Sequence, residues 1–252
     1  MIIEVRHAAL AYQSADGEVE AIRDVSFGVE EGEFLSIVGP SGCGKSTLPS
    51  MLAGRAAHPG GKLFIDGERV GRPSPRVGLM PQRDQLFEWR TIWSNVLLGP
   101  QIRGEDLGEA RARAKELLER YALSGFADKM PGQLSGGMRQ RCALIRTLAA
   151  RPDILLLDEP FSALASQTRL AVSDDVFRII RREHKTALLV THDISEAISM
   201  SDRVIVLTHR PAVVRAIHEL SQYRGVSPIE RRNTQIFSGV FNEIWKELDV
   251  YV

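Results

Sequence analysis

The stretch Gly39-Pro40-Ser41-Gly42-Cys43-Gly44-Lys45-Ser46-Thr47 constrains this chain more than any other. It follows the apolar run Phe34 to Val38 and precedes a segment of helical composition. Strand, glycine-rich loop and helix thus come in the order that a phosphate-binding loop needs. Gly39, Gly42 and Gly44 let the backbone curl with its N–H groups inward, an anion nest capped by the positive end of the following helix. Lys45 brings a point charge for β and γ phosphates, and the Ser46 hydroxyl is placed to ligate Mg²⁺. Pro49 conflicts with the helix expected over Lys45 to Ala56, because a proline in a helix interior costs about 3 kcal/mol; in the first turn it would cost far less.

Ile2 to Val38 reads as several short strands with turns at Ala15-Asp16-Gly17 and Glu31-Gly32. Tyr12 within it could cap a sheet edge or stack on a purine, and spacing leaves both open. Further strands are expected at Leu63 to Gly67 and Arg76 to Met80. From Asp84 the pattern turns helical: Ala110, Ala114, Leu117, Leu118 and Tyr121 share one face, with Glu109/Arg113 and Glu116/Arg120 spaced to pair. A second helix follows Gly136-Gly137. From Asp153 strand and helix alternate again. Ile154 to Leu157 reads as a central parallel strand, Gln167 to Glu183 as a helix, Thr186 to Thr191 and Arg203 to Leu207 as strands. Asp193 with Glu196 reads as an aspartate capping box. Beyond Pro211 the pattern weakens; Ser221 to Arg232 is expected to be loop, and Phe237, Phe241, Ile244 and Leu248 mark a C-terminal helix.

Lys+Arg and Asp+Glu both number 32, so nothing in the total charge points to nucleic acid. No apolar run approaches the roughly 18 to 20 residues that span a bilayer, and the start of the chain has no secretion-signal pattern. Two cysteines, Cys43 and Cys142, point to a reducing cytoplasm and against a disulfide framework.

Two carboxylates, Asp158 and Glu159, close the apolar strand Ile154 to Leu157, and adjacent charges repel unless a cation sits nearby. In a phosphate-loop enzyme that cation is Mg²⁺, which assigns Asp158 to the metal and leaves Glu159 to polarise an attacking water. Leu134-Ser135-Gly136-Gly137-Met138-Arg139-Gln140-Arg141 is a second glycine-containing helix start. On its own it reads as an ordinary N-capped helix, though its free N–H groups could take phosphate.

Taken together these residues resemble the ATP-binding cassette (ABC) ATPases. Gly39 to Thr47 matches Walker A, Gln82 the Q-loop, Leu134 to Arg141 the signature, Ile154 to Pro160 Walker B and Thr191-His192-Asp193 the H-loop. The resemblance implies an α/β fold: a P-loop NTPase (RecA-like) core over 1–83 and 152–210, with an N-terminal antiparallel β subdomain and an α-helical insertion subdomain at about 84–151. Residues 211–252 would be a tail.

It also implies ATP and Mg²⁺ as cofactors and a head-to-tail dimer. The nucleotide would touch Tyr12, Gly39, Pro40, Ser41, Gly42, Cys43, Gly44, Lys45, Ser46, Thr47 and Gln82, with Ser135, Gly136, Gly137 and Met138 coming from the second copy. Ser46, Gln82 and Asp158 would serve the metal, and Lys45, Glu159 and His192 catalysis. The partners implied are an integral membrane permease and, indirectly, an extracytoplasmic solute-binding protein, with the chain peripheral on the cytoplasmic face of the membrane. Phe87 and Trp89 could meet the permease or pack within the helical region.

The motif wording is most similar to importers of nitrate, sulfonate and taurine. Ala165 stands where the family usually has aspartate and Pro49 where it has a large apolar residue. Both point to reduced hydrolysis or, alternatively, to a regulatory subunit that binds nucleotide without hydrolysing it competently. Paired cassettes or coiled-coil arms, as in the ABC ATPases of translation and repair, are absent from the sequence.

Overall fold

The computed structural model describes residues 1–14, 17–56 and 60–249. The strands are β1 (Ile3–Ser14), β2 (Gly17–Val29), β3 (Phe34–Val38), β4 (Gly60–Ile65), β5 (Glu68–Arg69), β6 (Val77–Met80), β7 (Ile154–Asp158), β8 (Thr186–Val190), β9 (Arg203–Leu207) and β10 (Ala212–Glu219). The helices are α1 (Thr47–Leu52), α2 (Ile92–Val96), α3 (Leu98–Arg103), α4 (Leu107–Arg120), α5 (Gly136–Ala149), α6 (Ser166–Arg182), α7 (Ile194–Met200), α8 (Pro228–Arg232) and α9 (Gln235–Asp249).

The strands make one sheet in the order β5-β4-β1-β2-β10-β9-β3-β8-β7-β6. β3 and β8 are buried at every position, as strands covered on both faces must be. β6, β7, β8, β3 and β9 run parallel, whereas β1, β2, β4 and β5 pair antiparallel at the N-terminal edge. One apolar cluster joins this sheet to α2, α4, α5 and α6 through Phe34, Leu155 and Leu189 against Ala110, Leu117 and Cys142. A second lies between the N-terminal strands, α1 and the opposite sheet face, around Ile22, Leu48 and Met51.

Several expectations change. Ile2 to Val29 forms two long strands instead of several short ones, kinked by register shifts around Val5, Ala8 and Leu10; bulges of this kind break the alternation that sequence reading relies on. The turn expected at Ala15-Asp16-Gly17 lies outside the described residues except for Gly17. Glu109 and Arg113 do not pair: Arg113 turns to Glu105 at 2.7 Å and to the Ala149 carbonyl, while Glu116 and Arg120 do pair.

The weak pattern after Pro211 is a strand, β10, whose inward positions include Ala216 and His218 in place of large apolar residues. The expected loop over 221–232 contains α8, opened by Ser227 and Glu230 in a reciprocal capping box. Ser-Pro-Ile-Glu is that signature in the sequence. Asp193 does cap α7, but the Glu196 carboxylate accepts from the Thr191 hydroxyl instead of closing the box.

α8 is pinned by Arg231, which is fully buried. Its guanidinium donates to the carbonyls of Val226 (3.0 Å), Ser201 (2.6 Å) and Tyr223 (2.9 Å) and lies 5.4 Å from the ring centres of both Phe177 and Tyr223. Burial pulls its pKa down to about 10. Replacing it leaves buried carbonyls without donors, at roughly 1–3 kcal/mol each. Arg231→Met is expected to lower the unfolding free energy by about 3 kcal/mol or more in urea titration.

Candidate functional site

The site is assembled by strand register. Ile37 of β3 and Asp158 of β7 both face Val190 of the intervening β8, so the three parallel strands end together. The segments that follow them, Gly39 to Ser46, Glu159 to Ser162 and Thr191 to Asp193, emerge on one edge of the sheet.

The first of these curls through Gly42 at φ +76° and Gly44 at φ +101°, conformations that L side chains rarely adopt. A Cβ on Gly39 would stand 3.1 Å from Cys43 Sγ and 3.2 Å from Leu207 Cβ, so any larger residue would crowd the start of the loop against the end of β9. Cys43 is buried there, and burial pushes its thiol pKa up, so it acts as an apolar wedge. Lys45 is 5% exposed, with Nζ donating to the Gly39 and Pro40 carbonyls at 2.7 Å each. Pro40 and Ser41 complete the rim.

Ser46 precedes α1, so Pro49 falls third in the helix, inside the first turn. The Lys45 carbonyl, which a fourth-residue N–H would have reached, takes the Leu48 N–H at 3.1 Å. The conflict at Pro49 is thereby removed. Tyr12, on β1, reaches the Thr47 hydroxyl at 2.6 Å and remains 47% exposed.

Glu159 follows β7 with φ +45°, a strained conformation for a residue with a side chain. It is held by its N–H donating to the Val190 carbonyl (2.8 Å) and by the Ser162 hydroxyl donating to its carbonyl (3.0 Å). Glu159 Oε2 accepts from Gln82 Nε2 at 3.4 Å and lies 3.1 Å from His192 Nδ1. Three residues from three distant segments thus meet on one carboxylate oxygen.

Beside it, burial pushes the Asp158 pKa up, a hydrogen bond from the Ser46 hydroxyl pulls it down, and the Glu159 charge raises it again. Asp158 Oδ1 is buried without a hydrogen-bond partner. An orphaned carboxylate oxygen next to a hydroxyl fits a hard divalent cation, which takes oxygen ligands of this kind.

Ser135 N-caps α5, its hydroxyl accepting from Met138 N at 3.3 Å. A Cβ on Gly136 would meet Leu164 at 3.0 Å and one on Gly137 would meet Val172 at 2.7 Å, so the turn lies hard against α6 and the loop before it. Among the described residues no hydrogen bond or ion pair joins Ser135 to Met138 with the phosphate loop, Gln82, Asp158, Glu159 or His192. The expected site residues therefore fall into two groups within one chain.

A family model described as ABC transporter matches residues 22–162. The chain is 43% identical over 248 residues, 98% of its length and 95% of the relative's, to the uncharacterized ABC transporter ATP-binding protein YtlC of Bacillus subtilis. The chain belongs to the ABC transporter family. It is 36% identical to the taurine import ATP-binding protein TauB of a Jannaschia species over 86% of this chain and 82% of that one. It is 39% identical to the nitrate transport protein NasD of Klebsiella oxytoca over 84% and 82%. Among solved structures it is similar to the dimeric, post-hydrolysis state of the ATP-binding cassette MJ0796 bound to ADP and Pi, with TM-score 0.73 and 31% identity over 86% of this chain and 98% of that one. The fold is that of an ABC cassette, a P-loop NTPase, and the chain is an ATPase of this family.

Within this ABC cassette, Ala165 is the N-cap of α6 and offers no side chain to its free N–H groups. Arg169 was not singled out from sequence. It donates to the Leu164 carbonyl at 3.1 Å and lies 3.3 Å from Asp193 and 3.7 Å from Glu196, tying the loop before α6 to the helix after His192. Burial first, and Asp193 next, push the Glu196 pKa up to about 7.

Folded Glu196 thus binds its proton more tightly than the unfolded chain does. This stabilises the fold below pH about 4.5 and is lost as pH rises through about 7. Urea unfolding across that window is expected to show wild-type stability falling by roughly 3 kcal/mol relative to Glu196→Gln.

Proposed function

We propose that two copies of this chain form a head-to-tail dimer that hydrolyses ATP with Mg²⁺ and drives uptake of a small solute through a separate membrane permease. The observation that carries the reading is the meeting of Gln82 and His192 on Glu159, beside Asp158 and the phosphate loop, with Ser135 to Met138 outside that cluster. Each chain then supplies two different halves of a site, and a second copy completes both. The solved relative in dimeric form bound to ADP and Pi supports this.

In this reading Gly39 to Thr47 cradle the phosphates, Tyr12 stacks on adenine, and Lys45 leaves its carbonyls for the γ phosphate. Glu159 accepts a hydrogen bond from the attacking water and aligns it with the γ phosphorus. His192 contacts the γ phosphate while its Nδ1 holds Glu159. Ser135 and Gly137 of the second copy stabilise the charge that develops. Ser46, Gln82 and Asp158 would hold Mg²⁺, whose chemistry is to neutralise charge on the β and γ oxygens.

No helix among the described residues is long and apolar enough to cross a membrane, and the reading places the chain peripherally on the cytoplasmic face, docked on its permease. Gln82 and the helical subdomain at 84–151 would form that contact, with Trp89, 74% exposed, as its apolar element. An extracytoplasmic binding protein would deliver the solute. Relatives named for taurine and nitrate support a small oxyanion-bearing solute.

Glu159→Gln is expected to bind ATP and dimerise while phosphate release falls by about 10²–10⁴-fold, towards the level of Lys45→Ala; brisk turnover would remove Glu159 from its role. The regulatory reading now rests on Ala165 alone. Ala165→Asp restores a cap worth about 1 kcal/mol to α6 and is expected to raise phosphate release; an unchanged rate would show that position 165 does not limit turnover.

A further inference from the structure

Arg210 lies in the turn between β9 and β10 and has no place in the machinery described above. That turn begins against the phosphate loop, because the Leu207 carbonyl would be 3.3 Å from a Cβ on Gly39. Its base is braced by Thr208, whose N–H donates to the Val213 carbonyl at 3.1 Å and whose hydroxyl accepts from Val213 N–H at 3.1 Å. From this platform the Arg210 guanidinium extends over the tip of the loop. Its Nη2 is 3.5 Å and its Cζ 3.9 Å from where a Cβ on Gly42 would be. The same charge acts on the Cys43 thiol, lowering its pKa against the larger effect of burial.

Arg210 is exposed, and it makes no hydrogen bond or ion pair with any described residue. The fold gains nothing evident from holding a cation there. Lys45 is folded onto the base of the loop, and among the described residues Arg210 brings to its rim a positive charge without a hydrogen bond or ion pair. A guanidinium is a planar fork of donors that matches phosphate oxygens in pairs.

We propose that Arg210 is a nucleotide-contacting residue, which closes from its own subunit onto the phosphate chain of a nucleoside di- or triphosphate held in Gly39 to Thr47. The inference rests on the reading of that loop as a nucleotide site. Because ADP and ATP both carry the phosphates within reach, the contact strengthens binding of both and leaves the chemical step unchanged.

The test is equilibrium titration of ADP and ATP into the full chain, wild type against Arg210→Gln, Arg210→Lys and Lys45→Ala, with the melting temperature of each free protein measured alongside. Arg210→Gln is expected to weaken both nucleotides by about tenfold or more, the size of a hydrogen bond to a charged group. Its nucleotide-free melting temperature should stay at the wild-type value, KM should rise at constant kcat, and Arg210→Lys should recover part of the loss. Unchanged ADP affinity in Arg210→Gln, with a wild type that binds, would overturn this proposal alone. A loss of affinity that tracks a lowered melting temperature and is not recovered by lysine would overturn it too, by making Arg210 structural. A wild type that fails to bind ADP would overturn the nucleotide-site reading, and this proposal with it.

Discussion

Everything at the site depends on the parallel pairing of β3, β8 and β7. A parallel ladder forces its strands to end on the same side, and here the shared partner Val190 sets Ile37 and Asp158 at one level. Gly39, Glu159 and Thr191 are then neighbours in space although Gly39 lies more than a hundred positions before the other two in the chain. A slip of one residue in β7 would turn Asp158 to the other face of the sheet and take its carboxylate away from Ser46. The apolar side chains of β7 and β8 fix that register through burial on both faces, so the same residues that build the core also aim the chemistry.

Glu159 sharpens the point. Its left-handed backbone is held by the Val190 carbonyl and the Ser162 hydroxyl, two contacts made available by the strand ends themselves. A residue in that conformation persists only where its surroundings over-determine it. Gln82 and His192 add to that constraint from the side-chain end, which makes the carboxylate a junction between the segment after β6 and the segment after β8.

The parts legible in the sequence are those written in local residue types. The phosphate loop, the acidic end of β7, the helix from Asp106 to Tyr121 and the strand Arg203 to Leu207 each carry their own pattern. Signals failed where the environment comes from elsewhere in the chain. β10 escaped because its inward face, after Ala212 and Val214, continues as Ala216 and His218, the latter paired with Glu247 of α9, so large apolar residues do not recur along it. Arg113 chose Glu105 and a carbonyl over its i−4 neighbour because α5 packs alongside. Arg169 and Arg231 carry no pattern of their own, since a long polar side chain that reaches Asp193 in one case and the Ser201 carbonyl in the other looks from sequence like any surface arginine. Pro49 was the reverse case, an apparent conflict that disappears once the helix start is placed one residue after Ser46.

Strands β2 and β10 meet along a short ladder. The antiparallel strands at the N-terminal edge are joined to the parallel core by a parallel match of Ala212 with Ile22 and Val213 with Asp24. The single sheet thus has an antiparallel part and a parallel part that meet at this ladder. Tyr12 belongs to the antiparallel part and the phosphate loop follows a strand of the parallel part, and the Tyr12 and Thr47 hydroxyls meet across the two at 2.6 Å. The apolar cluster that Val5 and Ile22 share with Ile37, Leu48 and Met51 crosses that junction, so the spacing between the Tyr12 ring and the loop is set by common packing as well as by the two-residue ladder.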